Sequence, residues 1–316
     1  MVLGDYMETI KISPRGYCHG VVNAINTITN LKNLSTNKNI TILGMVIHNK
    51  QIVSFFENRG IKTLDSTGKT RLELLEEIDD GIVVFTAHGV SPEVYKRAEE
   101  KGLEVIDTSC TDVIKSQNIV QELLDDNYEV IYIGKHTHPE SEAVNGFSER
   151  VHVVETVDEV KALKLKNDKI ALTNQTTMSL YDIFNLSEEI RVLYPNLHFV
   201  DEVCNATRIR QEAIKNQDQS IEHCFIVGDR LSNNSRKLAE VSIKEANIPS
   251  TLIESLDQID VQFLKTLNKV SVSSGASTPT QVTNEIISFL ERFDKTDPST
   301  WKNVSQITIK NVISMR

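Results

Sequence analysis

The chain is predicted to be an α/β protein of three related lobes, each a small, mostly parallel sheet with flanking helices, in a trefoil with pseudo-threefold symmetry around a central site. Three observations carry this expectation. Short apolar runs suited to strands alternate with amphipathic runs suited to helices, the pattern that packs helices against parallel sheets. An apolar run that ends at a cysteine and hands over to an amphipathic run occurs three times, at Cys18, Cys110 and Cys204, with spacings of 92 and 94 residues. A repeat of that length is a domain repeat rather than a local metal motif. Finally, each lobe carries further strands that end in polar residues, and in parallel sheets ligands bind beyond the carboxyl ends of strands.

The first lobe is placed over residues 1–109, taking in the N-terminal strand Ile10 to Ile12. It has a helix from Val21 toward Leu34, a strand to Val46, a helix through Ile52 to Glu57, a strand Ile82 to Thr86, a helix opened by Ser91-Pro92 and a closing strand Leu103 to Ile106. The second, over 110–203, reads as helix Val113 to Leu124, strand Glu129 to Gly134, a short helix after Pro139, strands Val151 to Val154 and Lys169 to Thr173, and a helix from Ser179 toward Leu193. The third, over 204–292, alternates helices Thr207 to Asn216, Ser235 to Ala246 and Pro279 to Arg292 with strands Cys224 to Val227, Ser250 to Ile253 and Val270 to Ser273. In the tail, 293–316, the alternating run Val304 to Ile313 reads as a possible edge strand.

With 316 residues, 40% hydrophobic and 25% charged, the chain has ample material for such cores. No run reaches the length of a membrane span and the N-terminus lacks the pattern of a signal peptide, so the expected location is cytoplasmic. In the cytosol the four cysteines are expected to be free, which favours catalytic or metal-binding roles. A net charge of −10 argues against a nucleic-acid partner, while a small anion can still be held by hydroxyls, amides, imidazoles and helix N-termini.

Three thiolates about one centre suit zinc or an iron-sulfur cluster. The C-x-x-C knuckle usual in structural zinc sites is absent, which favours a cluster. With three repeat-related cysteines, a 4Fe-4S cluster would keep one iron open as a Lewis acid. Cys224 lies inside a strand and reads as an isolated buried thiol. His48, His88 and His138 follow strands at related positions, whereas His136 and His19 are weaker candidates and His152, His198 and His223 read as structural. Ser232-Asn233-Asn234 and Ser277-Thr278-Pro279 have the composition of helix caps, and a capped N-terminus facing a cavity is also an anion site. Glu140, beside His138 and in the same lobe as Gln175 and Thr176, reads either as a proton donor or as a first-turn glutamate complementing the helix dipole.

Eight ordered motifs then carry a resemblance. They are Pro14-Arg15-Gly16-Tyr17-Cys18-His19-Gly20-Val21, Val46-Ile47-His48-Asn49, Ala87-His88-Gly89-Val90-Ser91, His138-Pro139-Glu140, Asn174-Gln175-Thr176-Thr177, Cys204-Asn205-Ala206-Thr207, Ser232-Asn233-Asn234-Ser235 and Gly275-Ala276-Ser277-Thr278-Pro279. Together they resemble the 4-hydroxy-3-methylbut-2-enyl diphosphate reductase family of the methylerythritol phosphate route to isoprenoids. The resemblance implies reductive dehydroxylation of that allylic diphosphate to isopentenyl and dimethylallyl diphosphate, with two electrons and two protons. It implies a 4Fe-4S cluster on Cys18, Cys110 and Cys204. It implies diphosphate contacts from His48, His88, Ser232, Asn234 and Ser277, with Asn233 in the same triplet. Thr176, His138 and Glu140 would work at the hydroxymethyl end, and ferredoxin or flavodoxin would deliver the electrons. The chain departs from the family's commoner residues at Tyr17, His19, Thr111 and Asn233. A 4Fe-4S enzyme of quinolinate synthase type and a noncatalytic iron-sulfur sensor are the competing readings; the sensor needs neither the polar strand exits nor a proton donor.

Overall fold

The computed structural model describes residues 6–33, 38–65, 68–308 and 313. In chain order its elements are β1 (Glu8–Lys11), α1 (His19–Asn33), β2 (Ile40–Leu43), α2 (Lys50–Glu57), β3 (Lys62–Leu64), α3 (Arg71–Glu76), β4 (Ile82–Phe85), α4 (Pro92–Glu100), β5 (Glu104–Asp107), α5 (Thr111–Asp125), β6 (Glu129–Ile133) and α6 (Pro139–Asn145). There follow β7 (Val151–Val154), α7 (Val157–Ala162), β8 (Ile170–Asn174), α8 (Leu180–Leu193), β9 (His198–Phe199), α9 (Asn205–Lys215), β10 (His223–Val227), α10 (Asn233–Lys244), β11 (Ser250–Ile253), α11 (Val261–Leu264), β12 (Lys269–Ser274) and α12 (Thr280–Arg292).

The strands form three four-stranded sheets, ordered β3-β2-β4-β5, β7-β6-β8-β9 and β11-β10-β12-β1, and every pairing is parallel. The α/β class expected from the alternation is therefore present three times with one strand order. The two middle strands of each sheet are almost wholly buried, as in Ile-Thr-Ile-Leu of β2 and Glu-Val-Ile-Tyr-Ile of β6. Parallel sheets are covered on both faces, so their inner strands read as continuous apolar runs. The fourth strand of each sheet, β5, β9 or β1, is the one that leads to a cysteine.

The chain divides into two compact units. The first comprises residues 1–18, 48–55 and 205–316 and holds the sheet β11-β10-β12-β1. Its core joins Met7, Phe225, Val227, Val270 and Val272 to Ile286, Phe289, Leu290 and Phe293 of the α12 region. The second comprises residues 19–47 and 56–204 and holds the other two sheets. Leu43, Val83 and Phe85 pack with Leu74, Leu75 and Val94 on one sheet. On the other, Ile131, Ile133 and Leu172 pack with Ile183 and Ile190 on one face, and Val130, Tyr132 and Ala171 pack with Val120 and Leu124 on the opposite face. Among the described residues no helix is long and apolar enough to cross a membrane.

Two expectations need correction. The N-terminal strand does not join the first sheet: β1 pairs in register with β12, from Glu8 with Lys269 to Lys11 with Val272. The strand ahead of Cys110 closes the first sheet and the strand ahead of Cys204 closes the second, so the strand ahead of Cys18 completes the third by circular permutation. The expected tail strand is absent over 304–308, where the chain has no regular structure; 309–312 lie outside the described residues. There the Glu285 carboxylate accepts from Ser305 Oγ and Gln306 N, and Ile307 leans on the core, so side-chain contacts replace a ladder. The elements β3, α3, α7 and α11 were not expected, being too short to show a period.

Gly16 ties the loop after β1 to its own unit. Its N–H donates to Ser274 Oγ at 2.7 Å, its carbonyl accepts from Arg210 at 2.8 Å, and its φ is +77°. A Cβ there would lie 2.7 Å from Thr280 Oγ1. Gly16→Ala is expected to lower stability by about 1–3 kcal/mol, read as a lower urea midpoint; an unchanged midpoint would show that this turn adapts freely.

Candidate functional site

The three repeat-related cysteines occupy equivalent stations. Each backbone N–H donates to the carbonyl two residues beyond the end of the neighbouring strand: Cys18 to Ala276 after β12 at 3.0 Å, Cys110 to Ala87 after β4 at 3.0 Å, and Cys204 to Thr176 after β8 at 3.1 Å. The approach to two of them is also shared. Asp107 Oδ1 accepts from Ser109 N at 2.8 Å, and Asp201 Oδ1 accepts from Val203 N at 2.9 Å, so an aspartate turn precedes both Cys110 and Cys204. All three side chains are partly exposed free thiols, whereas Cys224 is buried and its burial pushes the thiol pKa up. Three accessible thiols at one repeated station fit a metal-sulfur group, whereas the buried Cys224 lies inside a strand away from that station.

In the first unit the exits of β10 and β12 assemble a neutral polar set. Ser232 caps α10 by accepting from Ser235 N. Its hydroxyl lies 3.3 Å from Ser277 Oγ, which is also 3.4 Å from the His48 carbonyl. Asn234 is aimed by two bonds: Oδ1 accepts from Ala276 N at 3.0 Å and Nδ2 donates to Thr207 at 3.2 Å. Asn233 Oδ1 accepts from the Arg236 guanidinium at 3.3 Å. Hydroxyls and amides gathered at the N-terminus of a twelve-residue helix are a suitable anion cradle.

In the second unit the exits of β4, β6 and β8 supply His88, His138, Glu140 and Thr176. His138 caps α6, its Nδ1 accepting from Glu140 N at 3.2 Å, which leaves Nε2 to carry the proton of a neutral ring. The His88 ring stands edge-on to His138 with centroids 5.5 Å apart, and His88 Nδ1 lies 3.3 Å from Thr86 Oγ1. Glu140 is 3% exposed and its Oε2 accepts from both Thr176 N at 3.0 Å and Thr176 Oγ1 at 2.9 Å. Desolvation raises its pKa, the Thr176 bonds pull it partly back and the Asp112 carboxylate raises it further, to about 7. Burial dominates this shift, which a solvated first-turn glutamate would not show.

Elsewhere His152 pairs with Glu129 at 2.6 Å, His136 with Glu159 at 2.7 Å, and His223 bonds Thr251 at 2.9 Å. Arg210, which the sequence did not single out, donates to the Gly16 carbonyl. Asn174 and Gln175, visible in the sequence only as members of a strand-exit motif, act as supports: Asn174 Oδ1 accepts from Glu202 N at 3.2 Å, and Gln175 Oε1 accepts from Lys135 N at 3.0 Å. Gly20 is another: a Cβ there would lie 2.6 Å from Cys110 Sγ. A glycine just inside a helix start was the available signal for that close approach.

One partly exposed thiol per sheet, together with a buried carboxyl raised to a pKa of about 7 and hydrogen-bonded to Thr176, fits an α/β enzyme suited to metal-sulfur and proton chemistry. The chain belongs to the LytB protein family, whose model matches residues 9–291. It is 47% identical over 309 residues to the 4-hydroxy-3-methylbut-2-enyl diphosphate reductase of Geobacillus kaustophilus (strain HTA426), covering 97% of both chains. It is 47% identical over 312 residues to the enzyme of that name from Bacillus subtilis (strain 168), covering 97% of this chain and 98% of that one. Its fold is similar to the solved E-1-hydroxy-2-methyl-but-2-enyl-4-diphosphate reductase of Plasmodium falciparum, with a TM-score of 0.84, 28% identity and 97% of each chain covered.

The raised Glu140 pKa sets a stability prediction. The folded chain holds this proton more tightly than the unfolded one, so the group's stabilising effect is complete below about pH 4.5 and is lost as pH rises toward 7. The loss is on the order of 3 kcal/mol. Glu140→Gln removes the dependence, so the gain in urea midpoint of variant over parent should grow between pH 4.5 and 7 and then level off. A difference independent of pH would contradict the raised pKa.

Proposed function

We propose that this protein catalyses the reductive dehydroxylation of 4-hydroxy-3-methylbut-2-enyl diphosphate to isopentenyl and dimethylallyl diphosphate, the terminal step of the non-mevalonate isoprenoid pathway. The observation that carries the reading is Glu140, a buried carboxyl with a pKa near 7, held by Thr176 and adjoining His138. Relatives sharing nearly half their residues over almost the whole chain and bearing this enzyme's name support the choice of substrate.

Cys18, Cys110 and Cys204 would hold a 4Fe-4S cluster, for which their partly exposed thiols and repeated backbone anchoring are suited. When bound, the cluster supplies two electrons, one at a time, and a Lewis-acidic iron. Ferredoxin or flavodoxin is the proposed electron source, and the cytosol, where the four thiols stay reduced, is the proposed compartment.

The balance of the reaction defines the work of the protein side chains. The allylic C–O bond breaks, its oxygen leaves as water, and the carbon skeleton gains two electrons and one proton. A first proton must reach the leaving oxygen and a second must reach carbon. Near neutral pH Glu140 is divided between its acid and base forms, so it can deliver a proton and be reloaded. Thr176 Oγ1 fixes the carboxyl by donating to it and keeps lone pairs that would accept from the substrate hydroxyl, while His138 Nε2 would carry a second transferable proton. At the other end Ser232, Asn234, Ser277, His48 and His88 would receive the diphosphate, with Asn233 at the start of α10 contributing its backbone N–H.

Two outcomes test this reading. In protein purified without oxygen, Cys18→Ser, Cys110→Ser and Cys204→Ser should each lose cluster iron while Cys224→Ser keeps it; iron and sulfide counts that rank the four otherwise would overturn the ligand set. With an artificial electron donor, Glu140→Gln should form the two diphosphate products about 10²- to 10⁴-fold more slowly, with iron content unchanged. Near-parental turnover would remove Glu140 as the proton donor.

A further inference from the structure

We infer that His19 is a positioning residue that places an N–H between the Cys110 sulfur and the Asp112 carboxylate and thereby raises the reduction potential of the group Cys110 binds. The inference rests on the cluster reading proposed above. His19 Nε2 lies 4.0 Å from Cys110 Sγ, 3.6 Å from Asp112 Oδ2 and 3.3 Å from Thr111 Oγ1. In the free thiol, Cys110 Sγ donates to Asp112 Oδ2 at 3.9 Å. Binding a metal removes that proton, because the thiolate is the ligand. Sulfur and carboxylate then face each other as two acceptors with no hydrogen between them. In the tautomer that carries its proton on Nε2, His19 is within hydrogen-bond distance of the sulfur and 3.6 Å from the carboxylate, and its N–H can replace the bond that the lost proton made.

The backbone delivers His19 to this position. His19 is the first residue of α1, and the missing side chain of Gly20 lets that first turn abut the sulfur, since a Cβ would stand 2.6 Å from Sγ. Cys110 is itself the N-cap of α5, so Thr111 and Asp112 leave it in a fixed direction. Thr111 Oγ1, at the first position of α5, is in contact with the same His19 nitrogen. The imidazole is exposed, so replacing it should leave the fold intact.

The direction of the effect follows from charge. Reduction adds an electron whose density spreads onto the cluster sulfurs, and a donor aimed at one of them stabilises the more negative state. The Asp112 carboxylate at 3.9 Å acts in the opposite sense, and the bridging N–H offsets it.

The test is an anaerobic redox titration of the cluster-loaded enzyme, followed by visible absorption with iron counted in the same samples. His19→Ala should titrate at a more negative potential than the parent, and His19→Gln, which keeps an N–H of similar reach, should return close to it. In an Asp112→Asn background, where the new amide can itself donate to sulfur, His19→Ala should shift the potential less. A parental potential in His19→Ala at full iron content, or a shift to more positive values, overturns the inference. Iron lost from His19→Ala but retained by His19→Gln also overturns it, since the donor would then hold the ligand rather than tune it. A parent that carries no cluster is a separate result, visible before any variant is made: it overturns the proposed function and the inference with it.

Discussion

The bond from each cysteine N–H to a carbonyl just past the neighbouring strand is the constraint on which the functional residues depend. It couples two places that the chain order separates: the start of a helix and the exit of the neighbouring strand, which for Cys18 lies near the other end of the chain. Because the accepting residues are Ala276, Ala87 and Thr176, each thiol is tied to a polar loop that also supplies a proposed substrate contact. Ser277 follows Ala276, His88 follows Ala87, and Thr176 is itself the third. A displaced exit loop therefore moves a thiol and a substrate group together. Backbone hydrogen bonds are suited to this task because they do not depend on rotamers, and satisfying buried peptide groups is obligatory in any case.

Glu140 shows what such a scaffold must tolerate. Burying a carboxyl favours its neutral form, and the bonds from Thr176 only partly compensate. In the proposed reaction this cost is useful, since a carboxylic acid poised near neutrality can both release and recover a proton, which a solvated glutamate with a pKa near 4.5 cannot. The anion cradle of the first unit follows the opposite logic. Its hydroxyls and amides carry no net charge, so they can be buried and held by one another without a counter-ion, while the α10 N-terminus supplies the electrostatic attraction. An acidic chain can hold a diphosphate this way without an arginine clamp.

Much of the fold was legible because parallel sheets leave a strong mark. The inner strands are buried on both faces and so read as unbroken apolar runs, and most are followed by a helix long enough to show its period. What escaped was short or permuted. β3 has three residues and α11 four, too few for any periodicity. β1 was visible as a strand but assigned to its neighbour in sequence, because apolar pattern specifies a strand and not its partner. The alternating tail at Val304 to Ile307 misled for a related reason: alternation makes a ladder possible, but here the Glu285 carboxylate takes up Ser305 and Gln306 instead.

For the site, the sequence by itself determined which residue types occur and at which repeat positions: three thiols, the exit histidines, one acid beside a histidine, and hydroxyls and amides at helix starts. These follow from spacing, which the chain carries explicitly. Tertiary structure decided how each group behaves. Glu140 is an acid near neutrality because burial keeps water from its carboxyl, which outweighs the bonds from Thr176, thirty-six residues away, that pull the pKa back. Cys224 differs from the other thiols through burial, and Gly20 matters because Cys110, ninety positions on, comes within the reach of a single methyl group. Desolvation and close approach are properties of neighbours in space. They arise only when distant segments are brought together, so no local pattern of residues encodes them.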